Sequence, residues 1–332
     1  MANALRFGLT GDVMLGRLVD DRQRDRNVGA VWGDVRERLQ SLDCLAINLE
    51  CTLSTRGQPW TRTHRPFHFR ADPDWAVPAL TDVDVSFAAL ANNHVLDFEE
   101  PALEDTLDEL EEAGIAHAGA GRTEAAAFEP ATIEVGGLTV AFVSLTDNTP
   151  EYAAGSDEPG TAYVPIRDDQ EETRERAARA LSDARAAEPD LLVASLHWGP
   201  NMVEEPPPEF RQFARFLVDE GVDLIHGHSA HVFQGIEVVD GVPVLYDCGD
   251  FVDDYAVDRQ LHNDRSFLFE VRLAPSGTIE SLRLFPTQID SCAVYRAKEP
   301  AASWSRERMR DLSEPFGTTF ERDDEELVLE LE

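Results

Sequence analysis

The sequence is nearly without lysine. Lys298 stands alone, and arginine supplies the rest of the 29 basic residues set against 64 acidic ones. The net charge of −35 repels nucleic-acid phosphates and anionic membranes, which argues against both as general partners. Apart from the last dozen residues, the acidic side chains are spread along the chain and form no tail. Such spreading suits solvation in high salt, where surface repulsion is screened, and reads as a halophile's surface. Cysteine is scarce too. Cys44, Cys51, Cys248 and Cys292 form no C-x-x-C pair and suggest no secreted disulfide framework, so buried reduced thiols are expected. No window approaches the roughly 18 uninterrupted apolar residues of a membrane span. The opening residues show no charged leader with an apolar stretch behind it, so the expectation is a soluble, cytoplasmic protein.

What is present is an alternation of strand and helix patterns. Apolar runs predict strands over residues 5–10, 44–48, 83–90, 191–196 and 222–226, with further strands at 267–273 and 281–285. Residues 131–135 and 138–145 read as a hairpin joined by Gly136-Gly137, and 235–250 as a second hairpin-like pair. Helical patterns cover 32–41, 101–113, 168–188 and 209–220, while 52–74 reads as a long ordered loop. Hairpins beside βα units predict mixed sheets in an α/β protein. With 332 residues, no proline- or serine-rich linker and no internal repeat, one domain is expected over 1–295, followed by an acidic extension over 296–332.

Five short segments deliver metal-binding side chains where an apolar strand runs out. They are Gly11-Asp12, Asn48-Leu49-Glu50, Asn92-Asn93-His94, His197-Trp198-Gly199 and Gly227-His228-Ser229-Ala230-His231. Taken singly, each has a bland reading: Gly-Asp is ordinary turn chemistry, Glu50 a solvated charge, His197 a satisfied core histidine. Unrelated turns have no reason to place Asp, Glu, Asn and His together at successive strand exits. Carboxylate, amide oxygen and neutral imidazole suit borderline-hard divalent ions such as Mn²⁺, Zn²⁺ or Fe²⁺. Two such ions activate a water and clamp an anionic transition state. A competing reading starts from Gly227-His228-Ser229-Ala230-His231, which nearly spells the nucleophile elbow of serine hydrolases, with Asp250 and His262 to complete a triad. The elbow's last glycine is a histidine here, and an extended stretch follows the serine in place of a helix.

As a set, the motifs resemble the CapA family of poly-γ-glutamate capsule-biosynthesis proteins, within the calcineurin-like metallophosphoesterase superfamily. The matching text is Gly-Asp-Val-Met-Leu-Gly-Arg (11–17), Asn-Leu-Glu (48–50), Ala-Asn-Asn-His-Val-Leu-Asp (91–97) and His-Trp-Gly (197–199). Gly-His-Ser-Ala-His-Val-Phe-Gln-Gly (227–235) and Tyr-Asp-Cys-Gly-Asp-Phe (246–251) complete it. The resemblance implies a four-layer α-β-β-α sandwich with mixed sheets and one or two divalent metal ions. It implies Asp12 and a bridging Glu50 on one metal, and Glu50, Asn93 and His197 on the other. His228 and His231 would be divided between the two. His94 would act on the leaving group, Asp97 would orient it, and Arg17 would grip substrate oxygens in a bidentate way. The chain departs from the superfamily pattern at Met14, where a histidine is usual, at Glu50, where Asp is usual, and in the wider spacing of His228 and His231.

The implied function is metal-dependent hydrolysis of a phosphoester or related anionic bond, or a role in poly-γ-glutamate metabolism. Arg62, Arg65 and His68 are loop candidates for binding an anionic small molecule or polymer. The alternative is a non-catalytic polymer-binding or assembly subunit that keeps the fold.

Overall fold

The computed structural model describes residues 4–166 and 171–331. Their strands gather into two principal mixed sheets. The larger has ten strands, ordered Glu321–Asp323, Glu326–Glu330, Ile279–Asp290, Arg265–Leu273, Leu5–Val13, Cys44–Leu49, Val85–Ala89 and Ala116–Ala118. Asp250–Val252 pairs with Leu5–Val13, and Ala293–Arg296 with Ile279–Asp290. The smaller runs Ile236–Val239, Val242–Leu245, Leu224–His228, Leu191–His197, Leu138–Thr146, Ala131–Val135. Inner strands of this sheet are parallel and both edges antiparallel, so the expected mixture is present.

Period-two alternation explains the packing. Along Cys44–Leu49, Cys44 and Ala46 join one apolar cluster while Leu45, Ile47 and Leu49 join another. Along Leu191–His197, Leu191 and Val193 share the first of these clusters, with Leu192, Ala194 and Leu196 in a third. The shared cluster therefore draws on both sheets, as in the stacked rings of Phe87 and Phe142 with centroids 3.9 Å apart. The larger sheet's other face meets helices Pro73–Asp82 and Glu99–Ala113 through Leu80, Leu103, Leu107 and Leu110. The smaller sheet's other face meets Glu171–Arg185 and Pro208–Asp219 through Ala177, Leu181, Phe210 and Leu217.

Several elements differ from the sequence reading. Helix 32–41 is a 3₁₀ segment, Ala30–Val35, kinked internally at Gly33 (φ 44°), which runs into one α-turn, Arg36–Leu39. Residues 73–82 are helical, with Pro73 in the first turn and the Asp72 carboxylate accepting from the Asp74 amide 3.0 Å away. The helix read from Pro101 starts at Glu99 and ends, as read, before Gly114 in the left-handed conformation. Glu171–Arg185 matches the helix read over 168–188, whose residues 168–170 lie outside the described ones. The C-terminal segment forms helix Ala301–Ser313 and a hairpin that pairs with Ile279–Asp290. No described helix is long and apolar enough to cross a membrane.

Candidate metal centre

Strand register brings the first two ligand pairs together. Asp12 sits opposite Asp250 on one side and Asn48 on the other, and His197 sits opposite His228. Glycine makes the close approaches possible. A Cβ on Gly11 would stand 1.7 Å from the Gly249 carbonyl oxygen, and one on Gly227 would stand 2.1 Å from that of Tyr246. The turn after Leu224–His228 is held in an unusual shape, with Ser229 at φ 113° and His231 at φ 58°. Non-glycine residues adopt such angles only where surrounding contacts enforce them. Here the Asp247 carboxylate accepts from the amides of Ala230 and Gly249, each at 2.7 Å.

Two buried groups result, both containing Asp12. In each, the ligand atoms lie within 4.8 Å of one another: Asp12 with His197 and His228, and Asp12 with His231 and Asp250. Asp12 Oδ1 lies 3.8 Å from His228 Nδ1, and Asp12 Oδ2 lies 3.2 Å from His231 Nδ1. His231 Nδ1 is 2.8 Å from Asp250 Oδ1. His197 Nε2 lies 2.8 Å from Asn93 Oδ1 and 3.7 Å from Glu50 Oε1. On the far side of Glu50 Oε1, 3.8 Å away, stands His94 Nε2. The opposite ring nitrogen, His94 Nδ1, meets Asp97 Oδ2 at 2.6 Å, and Asp97 is itself fixed by the Phe69 amide and the Tyr152 hydroxyl.

The electrostatics follow from this crowding. Burial opposes the Asp12 charge, yet His231, His197 and His228 hold its carboxyl below the ordinary range. Burial, reinforced by Asp12, pushes the Glu50 carboxyl well up. Burial, with the charges of His231 and His94 added, drives His197 down to about 3 against the pull of Asp12, and burial with His197 and His226 beside it drives His228 well below its usual value. Both rings are thus neutral, the form that ligates metal. His231 goes the other way: burial works against its proton, but Asp250 and Asp12 hold it. A divalent ion would displace that proton.

Glu50 Oε1 and Asp250 Oδ2 are buried with no hydrogen-bond partner among the described residues. Orphaned carboxylate oxygens in a dry site are costly unless a cation meets them. Imidazole, carboxylate and amide oxygen together fit a borderline-hard divalent ion.

Of the residues singled out in the sequence, Asp12, Glu50, Asn93, His94, Asp97, His197, His228 and His231 lie together here. Arg62, Arg65 and His68 have other partners. Arg62 makes two hydrogen bonds to Glu100 at 2.6 and 2.7 Å, Arg65 reaches Glu151 at 3.2 Å, and His68 Nε2 meets the Trp60 carbonyl at 3.0 Å. The serine-hydrolase triad is not assembled. Ser229 Oγ accepts from Asn148 at 2.8 Å, Asp250 is taken by His231, and the His262 ring stands edge-on to Trp304. Sequence reasoning gave no ligand role to Asp250, nor any role to Asn48, whose Nδ2 donates to Asp12 Oδ1 at 2.7 Å. Asp250 opens the short strand Asp250–Val252 and so lacks the strand-exit cue of the others.

The profile of the family described as bacterial capsule synthesis protein PGA_cap matches residues 6–255. A probable polyglutamine synthesis accessory protein of Mycobacterium tuberculosis is 33% identical over 354 residues, which cover 93% of this chain and 91% of the relative. The PGA biosynthesis protein CapA of Bacillus subtilis is 27% identical, covering 83% and 70% of the two chains. For the capsule biosynthesis protein CapA of Bacillus anthracis the identity is 26%, with 82% and 65% covered.

Proposed function

This chain belongs to the family of bacterial capsule synthesis proteins, PGA_cap, and on that premise we propose that it is a divalent-metal-dependent hydrolase serving polyglutamate or capsule metabolism. Its bond would be a phosphoester or a related anionic linkage. The observation that carries the reading is the pair of buried groups sharing Asp12, with two orphaned carboxylate oxygens beside them. The three apolar clusters, one shared by both sheets and one under the helices of each, support a four-layer α-β-β-α sandwich of the calcineurin-like type.

In this reading Asp12, His197 and His228 would hold one ion, and Asp12, His231 and Asp250 another. Glu50 and Asn93 complete the His197 side. Bound ions supply Lewis acidity and lower the pKa of a coordinated water. The remaining work falls to the chain. Asp97 holds His94 by Nδ1, so Nε2 faces Glu50 and the centre. A proton held at Nε2 is placed to reach the leaving oxygen as its bond breaks. Phe69 stands edge-on to the buried His94, with ring centroids 4.7 Å apart.

A second reading, a non-catalytic assembly subunit, draws on the word accessory in the name of the mycobacterial relative. Elemental analysis of the purified protein, with phosphoester turnover measured on wild type, Glu50→Ala and His197→Ala, separates the two. An enzyme loses metal and turnover in both variants, whereas a scaffold loses little. No transition metal after reconstitution would overturn the metal-dependent reading.

A further inference from the structure

Arg17 occupies a position beside the centre that metal ligation does not explain. Its guanidinium carbon lies 4.4 Å from the ring centroid of Phe67, 4.9 Å from that of Phe69 and 5.9 Å from that of Tyr255. Phe69 in turn meets His94, and Tyr255 meets His231 edge-on with centroids 5.0 Å apart. One aromatic ring therefore separates the guanidinium from each of two histidines in the centre. The backbone of Arg17 is held at φ 55° and ψ −124°, a combination that residues other than glycine rarely adopt.

The hydrogen-bonding capacity of this side chain is only partly used. Asp254 stands 3.4 Å from Nε, and the same carboxylate accepts from the Leu18 amide at 3.0 Å. Nη1 is buried and has no partner among the described residues. A guanidinium cannot shed its charge, so a buried N–H without an acceptor is costly. Arg62 is engaged by Glu100 through two nitrogens, and Arg65 faces Glu151 although its Nε is likewise unpartnered among the described residues. The bidentate grip expected for Arg17 narrows to one edge, because Asp254 stands against Nε.

We infer that Arg17 is a specificity-determining residue that binds a second anionic group, carboxylate or phosphate, on a substrate whose reacting group lies at the metal centre. This rests on the metal-dependent reading above. The substrate class is then a bifunctional anion. In a chain of net charge −35, one unpartnered guanidinium donor a single ring away from the centre favours such a substrate over a singly charged ester of the same size. The aromatic rings fix the guanidinium before binding, so little side-chain freedom is lost when the anion arrives.

Calorimetric titration of the metal-loaded protein with three non-hydrolysable probes tests this. Methylphosphonate carries one anionic group, phosphonoacetate adds a carboxylate, and methylenediphosphonate adds a second phosphonate. Wild type should bind at least one two-group probe about tenfold more tightly than methylphosphonate, the size of one charge-assisted hydrogen bond. Whichever probe gains identifies the second group as carboxylate or phosphate. Arg17→Gln should erase that gain, read as the ratio of two-group to one-group affinity within the folded variant, and Arg17→Lys should keep part of it. A gain that survives in Arg17→Gln, or no gain in wild type, overturns the inference alone. Failure of methylphosphonate to bind metal-loaded wild type overturns the metal reading and this inference with it.

Discussion

His197 and His228 face each other in register on adjacent parallel strands, their Nδ1 atoms 3.0 Å apart. Neighbouring strands lie about 4.8 Å apart, so two imidazoles leaving one sheet face at matched positions are close enough to share a single ion. Asp12 reaches them from the other sheet, and the centre therefore spans the seam between two independently hydrogen-bonded sheets. Metal binding should tie the sheets together. Chelation is expected to lower the melting temperature, and restoring excess metal should return it, as ligand linkage requires. A melting temperature indifferent to chelator would contradict this.

Asp12 belongs to both ligand groups, whereas Asp250 belongs to one. Asp12→Ala should therefore strip nearly all bound metal, while Asp250→Ala should leave the His197–His228 side loaded. Metal per chain, read by elemental analysis on folded protein, checks the difference. Equal losses in the two variants would mean that the groups do not bind separately.

Asp97 touches His94 but lies in neither ligand group. Asp97→Asn keeps an oxygen able to accept from the Phe69 amide while weakening the hold on His94 Nδ1. Phosphoester turnover is expected to fall by about 10²-fold or more with metal content unchanged. Parallel loss of metal and turnover would instead make Asp97 a support of the ligand shell.

The Gly11 position leaves no room for a methyl group, because the obstacle is the Gly249 backbone and not a mobile side chain. Gly11→Ala should destabilise the fold by at least about 1–3 kcal/mol and displace Asp12 from Asp250. Urea denaturation and metal content should fall together. Wild-type stability in this variant would show that the two strands can part without loss.

Much of this centre was legible because its ligands obey one local rule, a polar residue where a buried strand stops. Glu50, Asn93 and His197 fit it directly. Asp12 fits it less well: strand Leu5–Val13 runs through Gly11-Asp12, since Asp250–Val252 pairs with it there, and a Gly-Asp pair alone signals a turn. Asp250 escaped a ligand role because its partner His231 lies across an irregular turn fixed by Asp247, a contact no local pattern encodes. The helix Pro73–Asp82 was hidden by Pro73 and Pro78, which read as loop punctuation although the first occupies the permissive opening turn. The final hairpin was hidden by charge. In Glu326–Glu330 the inward Leu327 and Leu329 are flanked by acids that face solvent or pair with arginine, as Glu326 does with Arg38 and Arg283.

That pairing leads into a charge cluster around Glu270, whose Arg6 sits near the opposite end of strand Leu5–Val13 from Asp12. Glu270, whose side chain is wholly buried, accepts from Arg6 at 2.9 Å and Arg38 at 3.1 Å and forms an ion pair with Arg272 at 2.6 Å. Burial favours its neutral form, but the Arg6 hydrogen bonds and the charges of Arg272 and Arg38 outweigh it and lower the carboxyl below its ordinary value of 4.5. A carboxylate depressed by folding contributes stability that is present above the unfolded value and is lost as pH falls through the folded one. Glu270→Gln leaves three arginines without their shared anion. It should cost on the order of 3 kcal/mol near neutral pH, since breaking a buried pair strands its partners. The gap between wild type and variant should narrow as pH drops below 4.5, because the wild type then loses the same contribution by protonation. Urea denaturation of both proteins across that interval decides it. A gap that stays constant from neutral pH down to the acid transition would mean that the arginines, and not the ionised Glu270, set the stability of this corner of the sheet.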